Sequence, residues 1–97
     1  MATYPNAPSP VGSFTALNIS VATVVKPGPG VVMTIAVVTA GSTAGAVYDA
    51  TSTTGNTVAN QVGVLPAVAG TYAIEFPCIN GIVVAPGTGQ VVAVSYF

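Results

Sequence analysis

The sequence predicts an all-β protein, built as a small β-sandwich or barrel of six to eight short antiparallel strands. β-branched residues dominate the apolar content, with 18 valines and five isoleucines against two leucines, and 12 threonines accompany them. Such side chains pack well on a pleated sheet, whereas helices favour leucine, glutamate and lysine. The 11 glycines and eight prolines divide the chain into short segments, and evenly spaced short strands are typical of a sandwich or barrel.

The 97 residues suffice for one domain with a single small core, which we expect over residues 13–97. Residues 1–12 carry prolines at positions 5, 8 and 10 between small polar residues. Proline fixes φ and favours extended backbone in the residue before it. We therefore expect an extended N-terminal arm, with a disordered terminus as the alternative.

Seven stretches have the composition of strands. We predict them at residues 14–26, 31–39, 46–50, 57–65, 71–76, 82–85 and 90–97. Clusters of glycine, proline, serine, threonine and asparagine separate them and indicate turns. These clusters are PGPG (27–30), AGSTAG (40–45), TSTTGN (51–56), PAVAG (66–70), NG (80–81) and PGTG (86–89).

The strand at 31–39 is apolar on both of its predicted faces. One face holds Val31, Met33, Ile35 and Val37, and the other holds Val32, Thr34, Ala36 and Val38. This pattern indicates a central strand, or a strand with one face against another subunit.

The later strands alternate more clearly between apolar and small or polar residues. In 71–76, Tyr72, Ile74 and Phe76 alternate with Ala73 and Glu75, and in 90–97, Val92, Val94 and Tyr96 alternate with Val91, Ala93 and Ser95. Such alternation predicts half-buried strands. Between them, Asn80-Gly81 predicts a two-residue hairpin, because both residues tolerate the positive φ of a type I′ turn.

Charged residues make up 3% of the chain, against roughly 25% in an ordinary soluble domain. They are Lys26, Asp49 and Glu75, and the chain has neither histidine nor tryptophan. This inventory excludes a histidine-based catalytic triad, a histidine metal site and a basic face for nucleic acid or an anionic membrane. We expect no enzymatic activity, no cofactor, no metal, and neither a nucleic-acid nor a membrane partner.

Two features of this inventory could still support catalysis, namely a pair of acidic residues and one cysteine. Asp49 and Glu75 are the only candidates for a catalytic acid pair, and we interpret them instead as solvated carboxylates or as partners of Lys26. The single cysteine, Cys78, cannot form an internal disulfide. Because the composition offers almost no cation to activate a thiolate, we interpret Cys78 as a buried structural residue.

A chain with so few charges lacks the mixed charged surface that keeps monomers apart. We therefore expect it to work inside an assembly, through apolar burial, strand-edge hydrogen bonds and the N-terminal arm. The predicted interface residues are Tyr4, Pro5, Pro8, Pro10, Val32, Tyr96 and Phe97.

Four motifs occur in a particular order along the chain. They are KPGPGVVMTIAVVTAG (26–41), AVYDATSTTGN (46–56), TYAIEF (71–76) and NGIVVAPGTGQVVAVSY (80–96). In this order, the stretch from Lys26 to Tyr96 resembles a family of short virion proteins of tailed bacteriophages, of the capsid-decoration (cement) or head-fibre type.

The resemblance implies a structural protein on the virion capsid surface, assembled in the host cytoplasm, with the major capsid protein as partner. Because a small core without disulfides needs another source of stability, we also expect a homo-oligomer, either a trimer or a dimer. One alternative is a tail-fibre or head-fibre module that binds a host receptor glycan through loops 40–45 and 51–57. A second alternative is a subunit of a cellular surface layer or pilus.

Overall fold

The computed structural model describes residues 13–97 and confirms the all-β fold class. The strands are β1 (Phe14–Ile19), β2 (Thr23–Lys26), β3 (Gly30–Thr39), β4 (Gly45–Asp49), β5 (Gln61–Leu65), β6 (Gly70–Cys78), β7 (Ile82–Ala85) and β8 (Val91–Tyr96). The helical content of this part of the chain is a single 3₁₀ turn, Val58–Asn60, ahead of β5.

The strands form two four-stranded antiparallel sheets that pack as a β-sandwich. Sheet A has the order β1-β8-β3-β6, and sheet B has the order β2-β7-β4-β5. Every connection except the one from β4 to β5 crosses from one sheet to the other. This order is that of a jelly roll, in which two Greek keys interleave.

The predicted strand at 14–26 is two strands in different sheets. β1 pairs with β8, whereas β2 pairs with β7. The register shifts in β1 between Ala16 and Ile19, where Asn18 has a φ of 58°. This bulge interrupts the alternation, and the chain then turns the corner of the sandwich at residues 20–22.

β3 lies between β8 and β6, as expected for a strand that is apolar on both faces. The predicted grouping of its faces is wrong, however, because the register shifts between Val32 and Thr34. Val32, Ile35 and Val37 are the buried residues. The bulge at Met33 therefore brings Val32 onto the core side together with Ile35.

The core fills the space between the two sheets. Its buried members are Ile19, Val32, Ile35, Val37, Val47, Leu65, Cys78, Ile82, Val84, Val92 and Val94. The alternation predicted for β8 is confirmed by the burial of Val92 and Val94. In β6, Tyr72 and Ile74 pack against the core as predicted, whereas Phe76 remains 44% exposed.

The predicted Asn80-Gly81 hairpin is wrong. The segment joins β6 of sheet A to β7 of sheet B, and neither residue has a positive φ. Gly81 is needed there for close packing, because a Cβ would lie 2.4 Å from the carbonyl oxygen of Ala50 and 2.7 Å from that of Lys26. The turn predicted at PGTG is confirmed, with the N–H of Gln90 donating to the carbonyl of Gly87 at 3.1 Å.

The connections between strands gather at the two ends of the sandwich. The loops at 27–29, 50–60 and 79–81 lie at one end, together with Phe97, and we call this the Asp49 end. The loops at 20–22, 40–44, 66–69 and 86–90 lie at the other, which we call the Gln90 end. β1 starts at the Asp49 end, since Phe14 pairs with Tyr96.

Candidate interaction surfaces

Asp49 organises the end of the sandwich that bears its name. One carboxylate oxygen, Oδ1, accepts the N–H of Asn80 at 2.8 Å and that of Gly81 at 3.3 Å. The other oxygen, Oδ2, accepts the N–H of Ile79 at 3.1 Å. Three successive backbone donors thus converge on one carboxylate, which holds the connection between the two sheets in place.

Burial by itself would raise the pKa of Asp49, but the hydrogen bonds from the backbone N–H groups of Asn80, Ile79 and Gly81 and from the Asn80 side chain outweigh it. The pKa therefore lies below the ordinary value of 3.8, because the donors stabilise the ionised form. A carboxylate held ionised in this way is a poor proton donor near neutral pH, so Asp49 is unsuited to be the acid of a glycosidase pair. The expectation of a carboxylate that is either solvated or paired with Lys26 misses these backbone contacts, which hold Asp49.

The loop at 50–60 is closed by hydrogen bonds among its own polar groups. Thr57 caps the 3₁₀ turn, accepting the N–H of Ala59, while the side chain of Asn60 accepts the N–H of Thr57. Asn60 also donates to the carbonyl of Asp49 and to the side chain of Asn56. The polar groups that would serve a sugar in this loop are therefore largely used within the chain.

At the opposite end, Gln90 is a fully buried amide that the sequence reading missed. Its Oε1 accepts the N–H of Gly87 at 2.8 Å, and its Nε2 donates to the carbonyl of Pro66 at 2.7 Å. The third loop of this end is tied in by Thr43, whose Oγ1 accepts the N–H of Thr88 at 2.9 Å. The position of Gln90 directly before the valine-rich stretch 91–94 was the available signal, since a polar residue at a core position must find partners.

Cys78 is buried at the end of β6, and its Sγ lies 3.9 Å from the carbonyl oxygen of Phe76. Burial raises the pKa of the thiol to about 11, and the nearby charge of Asp49 contributes in the same direction. The group stays protonated near neutral pH, which agrees with a structural role.

The four edge strands are all irregular. In sheet A, β1 carries the bulge at Asn18, while β6 carries Pro77 and a bulge at Glu75, whose φ is 53°. In sheet B, β2 is four residues long and ends in Lys26, and β5 has a register shift against β4. Bulges, charges, proline and short length all hinder pairing with a further strand.

The outer face of sheet B is filled at its centre by side chains, whereas the outer face of sheet A has a groove there. On sheet B, Val83 is fully buried between its register partners Val24 and Tyr48, so the centre of that face is filled. On sheet A, Ala36 and Ala93 are register partners with small side chains, and they floor an open groove of about 160 Å³.

A row of hydroxyl groups lies along one side of this floor. Thr15 pairs with Ser95, and Ser95 pairs with Thr34, so the three side chains lie side by side across β1, β8 and β3. None of the three hydroxyls hydrogen-bonds to another residue of 13–97. Leu17 borders the groove and is 72% exposed.

Large apolar side chains are exposed at both ends of the sandwich. At the Asp49 end they are Phe14, Val58, Phe76 and Ile79, a set that we call the apolar rim. Ile79 is 76% exposed although its own N–H is held by Asp49. The backbone contacts of Asp49 thus present this side chain to solvent on a fixed loop.

The predicted interface residues lie in different environments. Val32 is fully buried in the core, so in the folded chain it cannot belong to an interface. Tyr96 packs partly against the core, with its ring 5.9 Å from that of Phe14. Phe97 exchanges backbone hydrogen bonds with Val31. The predictions for Tyr4, Pro5, Pro8 and Pro10 fall outside the described residues.

No protein-family model, curated protein or solved structure matches this chain. In the part of the chain from Ser13 onward, no helix has the length and apolar character needed to cross a membrane. Nor do residues 13–97 bring together three side chains of the types that bind metal ions.

Proposed function

We propose that this chain is a structural virion protein of a tailed bacteriophage, which binds the outside of the assembled capsid and stabilises the shell as a decoration protein. The observation that carries the proposal is the jelly-roll strand order in a sandwich with almost no charge. Jelly rolls recur in viral capsid domains. A fold alone does not determine a function. The placement of the charges and the exposed apolar side chains provide further support.

The location of the three charges supports an assembly role. Asp49 is occupied by backbone donors, and Lys26 and Glu75 lie on the edge strands β2 and β6. β1, β8 and β3, which form the groove side of sheet A, contain no charged residue. Desolvating this face on contact with a partner therefore carries no penalty for burying an ion.

The apolar rim supplies the contacts that we propose for the major capsid protein. Its two phenylalanines are the residue type enriched at the centres of protein interfaces. Apolar burial contributes about 25 cal/mol per Å² before the costs of association. A protein that binds only the assembled shell stabilises that state by mass action, by about 2.7 kcal/mol per site at a free concentration 100 times Kd.

The alternative of a glycan-binding fibre module has less support at its two candidate loops. In loop 40–45, Ser42 and Thr43 are bonded to Thr88, and loop 50–60 is closed by its own polar groups. Neither loop contains an aromatic side chain on which a sugar ring could stack. We therefore propose the capsid and not a glycan as the partner.

Quantitative mass spectrometry of purified particles of the encoding phage tests this proposal. We expect hundreds of copies per particle, which should be released together with the shell proteins and not with isolated tails. A handful of copies would favour a tail or fibre component, and absence from the particle would overturn the proposal.

A second experiment tests the apolar rim. Particles stripped of the protein should recover thermal resistance when the purified chain is added, and the double variant Phe76→Ser/Ile79→Ser should restore less of it. Val64→Ser is the matched control, because Val64 is 56% exposed on sheet B away from the rim. Equal restoration by both proteins would exclude the rim as the contact.

A further inference from the structure

The groove on the outer face of sheet A has the character of a binding site for an extended peptide. Its floor consists of Ala36 and Ala93, and the hydroxyls of Thr15, Ser95 and Thr34 form a row along one side. The side chains are small and uncharged, so a backbone can approach closely. The hydroxyls offer hydrogen-bond donors that no other residue of 13–97 uses.

The chain itself contains a segment with the complementary chemistry. Residues 2–12 have no charged side chain and carry prolines at positions 5, 8 and 10. Because each proline lacks an N–H, carbonyl acceptors outnumber backbone donors in this segment. Hydroxyl donors in a groove suit such a segment better than a sheet edge does, since an edge requires alternating donors and acceptors from its partner.

The segment is long enough for this groove. The groove is lined by Thr15 and Leu17 on β1 and by Thr34 and Ala36 on β3, so it extends about 7 Å along the strands at roughly 3.3 Å per residue. Ten residues in an extended proline-rich conformation cover about 31 Å. Two or three residues are therefore sufficient to fill the groove, and the remainder can bridge the distance to it.

The direction of β1 indicates whose groove the segment reaches. Ser13 is fully buried and Phe14 pairs with Tyr96, so the chain enters β1 from beyond the Asp49 end. An extended segment that continues this line leads away from its own molecule. To occupy the groove beside its own β1, a segment that precedes β1 must reverse direction, whereas the groove of a neighbouring molecule requires no reversal.

From these observations we infer that residues 2–12 of one copy bind in the sheet A groove of a second copy, so that the chain assembles by exchange of its N-terminal segments. This inference deepens the proposed function, since it rests on that function together with the homo-oligomer expected from the sequence. It assigns the contact between copies to the groove and leaves the apolar rim free for the capsid.

The oligomeric state of the full chain tests the inference directly. Analytical ultracentrifugation should show a dimer or larger oligomer for the full chain and a monomer for a variant lacking residues 2–11. Ala93→Arg, which fills the groove, should also be a monomer. Val64→Arg, which places the same charge on the outer face of sheet B, should remain associated. Circular dichroism at each step verifies that the variants are folded.

A peptide titration keeps the test decisive if Ala93→Arg fails to fold. A synthetic peptide of residues 1–12 is added to the deletion variant, and the NMR resonances of Leu17, Ala36 and Ala93 are followed. We expect these resonances to shift on saturation and those of Val24 and Val64 to stay fixed. Leu17→Ser should weaken peptide binding at least several-fold, because it removes the exposed side chain that borders the groove.

Three results would overturn the inference. The deletion variant could remain associated, or the peptide could leave the groove resonances unchanged. The full chain could also be monomeric at every concentration with its groove resonances already in the peptide-bound position, which would place the segment in its own groove. None of these measurements involves capsids, so a chain that exchanges its segments but binds no phage shell would overturn only the proposed function.

Discussion

Replacing Asp49 with asparagine should destabilise the sandwich although the side chain keeps its shape. The carboxylate accepts three backbone N–H groups, with two on Oδ1 and one on Oδ2. An asparagine has a single acceptor oxygen, and its amide nitrogen would face the third N–H as a second donor. The variant therefore loses one hydrogen bond, places two donors against each other and weakens the remaining two bonds by removing the charge.

The magnitude follows from the exposure of the donors. A hydrogen bond to a charged group contributes about 1.5–3 kcal/mol, and less where water can replace the lost partner. Ile79 and Asn80 are exposed, whereas Gly81 is buried. We therefore expect Asp49→Asn to lower the free energy of unfolding by about 2 kcal/mol. At about 4–8 °C per kcal/mol in a domain of this size, the melting temperature should fall by roughly 8–16 °C.

The pH dependence provides a second signature. The pKa of Asp49 is lower in the folded chain than the ordinary value of 3.8. Its stabilising contribution is therefore complete well above that value and is lost as the pH falls through the folded-state pKa. The difference in unfolding free energy between the native chain and Asp49→Asn should shrink between pH 5 and pH 2.

Urea unfolding followed by circular dichroism at several pH values measures both effects. Glu75→Gln is the matched control, because it also removes one negative charge but from an exposed side chain. It should change the stability by less than about 0.5 kcal/mol. Our reading of Asp49 would be refuted if the two variants were equally stable at pH 7, or if the Asp49→Asn deficit were the same at pH 5 and pH 2.

Three further predictions concern packing. Gly81→Ala should cost several kcal/mol because the added Cβ meets two backbone carbonyls, whereas Gly28→Ala, with nothing within 4 Å of its Cβ, should be nearly neutral in thermal unfolding. Ile35→Asp should abolish folding by burying a charge, while Val38→Asp on the same strand, at a side chain 63% exposed, should give a soluble folded chain by circular dichroism. Cys78 should react with iodoacetamide at pH 8 only after denaturation, because its pKa is about 11 in the folded chain; rapid alkylation of the native protein would contradict its burial.

The strand content and the alternation of β8 were predictable because they depend on local composition and on an uninterrupted period of two. The bulges were harder to find. Asn18 gave a signal, since asparagine is enriched at positive φ, but Glu75 adopts a similar φ without any such tendency. A single bulge exchanges the faces of a strand, and this explains why the alternation proposed for β3 failed at Met33.

The Asn80-Gly81 error has a different origin. The dipeptide favours a type I′ turn locally, yet the chain uses it to cross between sheets, where Asp49 binds three successive N–H groups. This contact joins residues about 30 positions apart in the sequence. Local propensity cannot anticipate it, and the tertiary contact determines the conformation. The role of Gln90 was hidden for the same reason, since its partners Pro66 and Gly87 belong to two different loops.

The irregular edges and the open groove together bear on how such a chain assembles. A sandwich that grew by adding strands would need at least one regular edge, whereas β1, β2, β5 and β6 each carry a bulge, a register shift, a proline or a charge. The same irregularities protect a charge-poor chain from uncontrolled edge-to-edge aggregation. Association through a face then has an advantage when two copies exchange their segments reciprocally, because both grooves are filled and the assembly closes, whereas each added edge strand exposes a new edge. The proposed coating of a capsid in a fixed copy number requires such a closed mode of contact.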